Sequence, residues 1–123
     1  MAMLPAVFPL LTAAAPVTAL IGTTPTRAYR HGRAPQGVTA PYVTWNIAAS
    51  TAQNTLTGVP SADLFNVRMD CWSDDDAQVE ALATAVRDAI EPSAHMLGIV
   101  ANDRDATTNR YRISMTFDFW LLR

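Results

Sequence analysis

The stretch Arg110-Tyr111-Arg112-Ile113-Ser114-Met115-Thr116-Phe117-Asp118-Phe119-Trp120-Leu121 decides the fold. Tyr111, Ile113, Met115, Phe117, Phe119 and Leu121 fall on one side of an extended chain, and Arg112, Ser114, Thr116 and Asp118 on the other. A period of two over this length predicts a strand with one buried face. A slip of one residue would turn six large side chains to water, so its register is well fixed. Trp120 falls on the polar side. There it is either an exposed aromatic of the kind that anchors interfaces or is covered by the N-terminal helix.

Working outward, Leu64–Trp72 repeats the pattern, with Phe65, Val67, Met69 and Cys71 on one face and Asn66, Arg68, Asp70 and Trp72 on the other. Tyr42–Ala49 is a further strand, opened by Pro41, in which Val43, Trp45 and Ile47 alternate with Thr44 and Asn46. Between these strands and the last one the period changes. Val79, Leu82, Val86 and Ile90 recur at spacings of three and four, which predicts a helix ended by Pro92. Ser73 is expected to cap its start, and Asp74, Asp75 and Asp76 suit the positive end of its dipole. Met96–Asn102, interrupted by Gly98, reads as another strand, joined to the last by a hairpin loop over Asp103–Asn109.

Val7, Phe8, Leu10 and Leu11 give residues 5–14 a helical stripe. Pro16 opens a second short helical piece ending at Gly22. The first 22 residues carry no charged side chain, but the first charge, Arg27, comes too late for a secretion signal, and Pro5, Pro9 and Pro16 break any membrane span. The segment is expected to pack on the core. Together these elements predict an α+β fold: an antiparallel sheet of about four to five strands, with one long helix and an N-terminal helix packed on one face.

Composition fits one domain over residues 1–123. Half of the 123 residues are apolar and 16% are charged, with a net charge of −2. A chain of this length buries roughly two-thirds of its unfolded surface and needs no staples. The low charge favours an assembling protein, and the balance does not suggest a general nucleic-acid binder. All nine basic residues are Arg, a side chain whose fork suits interfaces. Cys71 is the only cysteine, so an internal disulfide is impossible and it is expected to be a buried small hydrophobe. With His31 and His95 far apart, no metal set emerges.

No catalytic motif is present: no Gly-rich phosphate loop, no Gly-x-Ser-x-Gly and no His-Glu-x-x-His. Asn102-Asp103-Arg104-Asp105 lacks the glycine and distal glutamate of a calcium loop. No enzyme activity, metal or cofactor is expected. Three segments stand out as contact surfaces instead. Arg27, Arg30, His31 and Arg33 crowd around Tyr29, where a phosphate contact, a contact to carboxylates of a neighbouring subunit and a solvated loop are all open readings. The polar connection over 50–63, with Gln53, Asn54 and Leu56, is long enough to reach a neighbour. The third is the hairpin with Asp103 and Arg104.

The order of short elements resembles one family. Ala15-Pro16-Val17-Thr18-Ala19-Leu20-Ile21-Gly22 follows the first helix. Then come Arg33-Ala34-Pro35-Gln36-Gly37, Pro41-Tyr42-Val43-Thr44-Trp45, Val67-Arg68-Met69-Asp70-Cys71-Trp72-Ser73 and a helix with Ala81-Leu82-Ala83 and Ala85-Val86-Arg87-Asp88-Ala89-Ile90. From Leu4 to Ile90 this is similar to the tail completion and tail terminator proteins of long-tailed bacteriophages. The resemblance implies a structural virion protein without catalytic residues. It implies a ring of six copies at the head-proximal end of the tail tube, in the neck of the virion, after assembly in the host cytoplasm. Its partners would be itself, the tube protein and a head–tail connector or stopper, with DNA passing through the lumen without specific binding and no membrane. A connector or stopper role for the chain itself is the alternative, and a small ligand- or nucleic-acid-binding domain a further one.

Overall fold

A computed structural model describes residues 3–54, 56 and 58–123. Thr55 and Thr57, in the expected 50–63 connection, lie outside the described residues. Among those described, the chain forms α1 (Val7–Thr12), α2 (Ala15–Ile21), β1 (Ala28–Arg30), β2 (Tyr42–Ala52), β3 (Ala62–Ser73), α3 (Asp76–Ile90), β4 (His95–Arg104) and β5 (Tyr111–Leu122). The strands make one five-stranded sheet in the order β1-β2-β3-β5-β4.

The period-two strands lie at its centre. β3 runs antiparallel to β2 on one side and to β5 on the other, and the β3–β5 register is unbroken from Ala62 opposite Leu122 to Ser73 opposite Tyr111. Phe65, Val67, Met69 and Cys71 of β3 and Ile113, Met115, Phe117 and Phe119 of β5 are all buried. Against them α3 lays Val79, Leu82, Val86 and Ile90, each fully buried. α1 and α2 pack beside α3 and add Val7, Leu11, Val17 and Ile21. All three helices cover one face, and the other face carries none among the described residues.

Three local differences from the sequence reading have physical causes. The sheet is mixed rather than antiparallel throughout, because β1 pairs parallel with β2, from Ala28 opposite Val43 to Arg30 opposite Trp45. A parallel partner needs a long crossover connection, and residues 31–41 supply it. The hairpin between β4 and β5 is shorter than expected: Asp103 and Arg104 belong to β4, and the turn closes where the Asp105 carboxylate accepts the Thr108 N–H at 2.8 Å. The cap of α3 is Asp75 rather than Ser73. Asp75 accepts the Gln78 N–H at 2.9 Å, while Ser73 is the buried last residue of β3, its hydroxyl accepting the Asp75 N–H and donating to Gln78. Replacing Asp75 with Ala should lower stability by about 1 kcal/mol. Urea unfolding checks this, and Ser73→Ala is expected to act through its own two bonds.

Candidate functional site

The helix-free face of the sheet is built by the polar positions of the central strands. Arg68 Nε donates to Asp70 Oδ1 at 3.2 Å, and its second nitrogen donates to Ser114 Oγ, also at 3.2 Å. Ser114 is fully buried and donates to the same Asp70 oxygen. Trp72 Nε1 donates to Thr44 Oγ1 at 3.1 Å, and Asn66 donates to Asp118 at 3.2 Å. Tyr42 stacks on Trp72 with centroids 5.9 Å apart, and the Arg112 guanidinium lies 5.5 Å above the Trp72 ring. Arg112 also makes a two-pronged bond to Asp103 at 2.9 and 2.7 Å.

Each polar group in this lattice is matched to another. The hydrogen bonds from Arg112 hold the Asp103 carboxyl below the usual aspartate range, and hydrogen bonds from Thr108 do the same for Asp105. No buried side-chain nitrogen or oxygen among the described residues lacks a partner. A reactive site needs a nucleophile held by a base, or an acid displaced from its ordinary range by burial. Here the shifted carboxyls lie at the surface, Asp103 exposed and Asp105 half-buried, and are ion-paired or hydrogen-bonded, as in a structural lattice. Cys71 is buried, and burial pushes its thiol up, away from reactivity. No group of three or more His, Cys, Asp or Glu among the described residues could hold a metal ion. No described helix is long and apolar enough to cross a membrane.

The residues singled out from sequence fall in three places. At the β1 edge, Arg27 is half-buried and turned inward: its Nε donates to the Pro41 carbonyl at 2.9 Å and a second nitrogen to the Leu20 carbonyl at 3.1 Å. Tyr29 packs edge-on against Tyr42. Arg30, His31 and Arg33 remain exposed around a turn in which His31 and Gly32 take φ of 63° and 67°. At the opposite lateral edge, Asp103 holds Arg112, while Arg104 donates to the Asn109 carbonyl at 3.1 Å and covers the Tyr111 ring.

The third place is the end of the sheet formed by the β2–β3 connection and the end of β5. Gln53 is half-buried and its N–H closes onto Ala62 at 3.0 Å, while Asn54 is exposed. Leu56 is fully exposed and Val59 nearly so. Trp120, opposite Leu64, is 57% exposed and Leu122 is 79% exposed, so no helix covers Trp120. Gln53, Asn54, Leu56 and Trp120 thus share one apolar-tipped end, whereas the arginine segment and the Asp103–Arg104 pair sit at opposite flanks.

Sequence reasoning missed two features. β4 is an edge strand whose Leu97, Ile99 and Val100 are each more than half exposed. The segment was read as a strand without a place in the sheet, and an apolar run is the same in sequence whether or not something covers it. Arg110 was also missed. Its guanidinium lies over the Tyr42 ring and donates to Tyr42, to Asp74 and to the Val38 carbonyl, and the Tyr42 bond contributes most to raising its pKa.

The fold recurs in a chain of a solved structure described as the virion of a native gene transfer agent (GTA) particle. That chain is 22% identical, with a TM-score of 0.69 over 95% of this chain and 92% of the other, which shows a shared fold. A search of curated proteins found no match. The sequence profile of the family described as "Tail completion protein gp17" matches residues 5–122, and the chain belongs to that family of virion tail proteins.

Proposed function

We propose that the protein forms a closed ring, of six copies, on the head-proximal end of the tail tube, where it ends tube polymerisation and presents a surface to the head connector. It acts as a structural component and not as an enzyme. The observation that carries this reading is the distribution of exposed apolar groups in a member of the tail completion family. Leu56, Val59, Trp120 and Leu122 gather at one end of the sheet, while Leu97, Ile99 and Val100 lie along one flank. An isolated subunit gains nothing by exposing both. A ring subunit needs both: flanks for its neighbours and an end for the tube or connector. Arg30 and Arg33, exposed on the other flank, are placed to meet carboxylates of a neighbouring copy. Charge is sparse on the chain as a whole, which suits a lumen through which DNA passes without being held.

The reading is tested with purified tail tubes. Light scattering should report a monomer–hexamer equilibrium, and electron micrographs should show the protein on one end of each tube only. A chain that stays monomeric with tubes present and never decorates an end contradicts the proposal. Replacing both Leu56 and Trp120 with Asp should cut tube-end occupancy by about tenfold or more, since each exchanges an apolar anchor for a charge that would have to be desolvated. Circular dichroism should be unchanged, because both side chains are outside the core.

A further inference from the structure

A sheet edge is a row of backbone N–H and C=O groups, and folded proteins defend such rows with charge, proline or brevity. The β1 edge is defended: it is three residues long and ends at Arg30. Two other rows are not. Among the described residues, no strand pairs with the outer side of β4, and none pairs with the outer side of β2 beyond Trp45. Between Leu97 and Asn102 the first row carries neither charge nor proline before it reaches Asp103 and Arg104, and the second carries neither over Ala48-Ala49-Ser50-Thr51-Ala52.

We propose that neighbouring copies of this chain are joined by sheet continuation, the outer edge of β4 in one copy pairing with the outer edge of β2 at Ala48–Ala52 in the next. This rests on the ring reading above and names its lateral contact. Direction allows it. β2, β3, β5 and β4 alternate in sense across the sheet, so a following copy with the same face outward offers its β2 antiparallel to β4. Shape allows it too. β4 is bulged near Leu97 and Val100 and β2 near Ala48, so each edge rejects a flat strand and favours a twisted one. The small side chains of the β2 row leave room for Leu97 and Val100.

The register sets the geometry of the ring. Along the hydrogen-bonded rows, Trp45 is level with Met69, Met115 and Ile99. Counting the bulge at Ala48, bringing Ala48–Ala52 beside Leu97–Asn102 displaces the next copy along the strands by about four residues, or ~14 Å. The lateral step across the four strands is ~19 Å at ~4.8 Å per strand. The two steps together require strands inclined by about 35° to the ring axis, at the lower end of the tilt that closed sheets adopt, roughly 35–45°. An alternative pairing of β4 with β4 of a second copy is also antiparallel. It ends at a dimer and leaves the β2 row open.

The test introduces Ala49→Cys and Val100→Cys into the full chain and applies a short thiol-reactive bifunctional cross-linker. Buried Cys71 is silent to it. A mixture of the two single variants should give cross-linked dimer at about ten times the yield of either alone, and the double variant a ladder ending at the ring's full number. Val100→Lys should raise the concentration at which rings form by about tenfold or more. Should Val100→Lys disturb folding, the cross-linking arm decides. Strong cross-linking of Val100→Cys with itself, or intact rings without cross-linked species, overturns this interface and leaves the ring reading standing. Absence of any ring by light scattering of the unaltered chain, with or without tubes, overturns the ring reading and this contact with it.

Discussion

Phe117→Ala should be the most damaging single change to the fold, lowering unfolding free energy by roughly 3–5 kcal/mol. Phe117 is the largest fully buried side chain, midway along β5, paired with Val67 on β3 and Met96 on β4. It faces the helical layer, where Val79, Leu82, Val86 and Ile90 line α3. Removing the ring leaves a void bounded by a sheet with an unbroken register on the β3 side, so neither strand can shift inward to fill it. Against a total stability of roughly 5–15 kcal/mol for a domain of this kind, the loss is a large fraction. Urea titration should show a lower midpoint with a similar slope. Trp120→Ala is the control, three residues beyond Phe117 near the same strand's end but more than half exposed. It should change stability by less than about 1 kcal/mol. If the two variants unfold at the same midpoint, the division of β5 into a core face and an outer face is wrong.

That division was legible in the sequence because burial imposes it. β3 and β5 each lie between two strands under a helical cover, so every second residue must be apolar, and Phe65 to Cys71 and Ile113 to Phe119 follow the rule without exception. α3 was legible for the same reason at its own period. The α+β architecture and the tail completion family could both be read from these patterns and from the ordered short elements before β4.

What was not legible depended on partners with no signature. The parallel pairing of the three-residue β1 with β2 rests on backbone bonds alone, and no side-chain period announces its direction. Leu97, Ile99 and Val100 have the composition of core residues, and only the sheet order and their exposure show that no described element covers them. Ser73 and Asp75 are equally good caps on paper; the extra β3 residue opposite Tyr111 settles which of them starts the helix. The contact residues divide similarly. Leu56 and Trp120 were identified from sequence and are exposed together, whereas the arginine segment read as one cluster is two kinds of residue: exposed Arg30 and Arg33, and inward-turned Arg27.

The difference within that segment predicts opposite outcomes for apparently equivalent changes. Arg27→Ala should destabilise the fold by roughly 2–3 kcal/mol, the range for hydrogen bonds made by a charged group whose acceptors are then left partly buried and unpaired. Its guanidinium joins the Leu20 carbonyl, near the C-terminal end of α2 where a cation is favoured, to the Pro41 carbonyl just before β2. Its backbone is tied as well, with the N–H on Ile21 at 2.9 Å and the carbonyl receiving the Val43 N–H at 3.0 Å. One residue therefore connects the second helix, the long crossover and the start of a central strand. Arg27→Lys should recover only part of the loss, because a single ammonium cannot reproduce two diverging bonds in fixed geometry. Gly22 is held to its identity by the same arrangement. Its φ is 86°, and a Cβ there would stand 3.2 Å from an Arg27 nitrogen. Arg30→Ala and Arg33→Ala touch none of these bonds and should leave stability within about 0.5 kcal/mol while weakening ring formation. Thermal unfolding and light scattering on the three single variants separate the roles. A destabilised Arg30→Ala, or an Arg27→Ala that unfolds like the parent, would show that the clamp has been assigned to the wrong arginine.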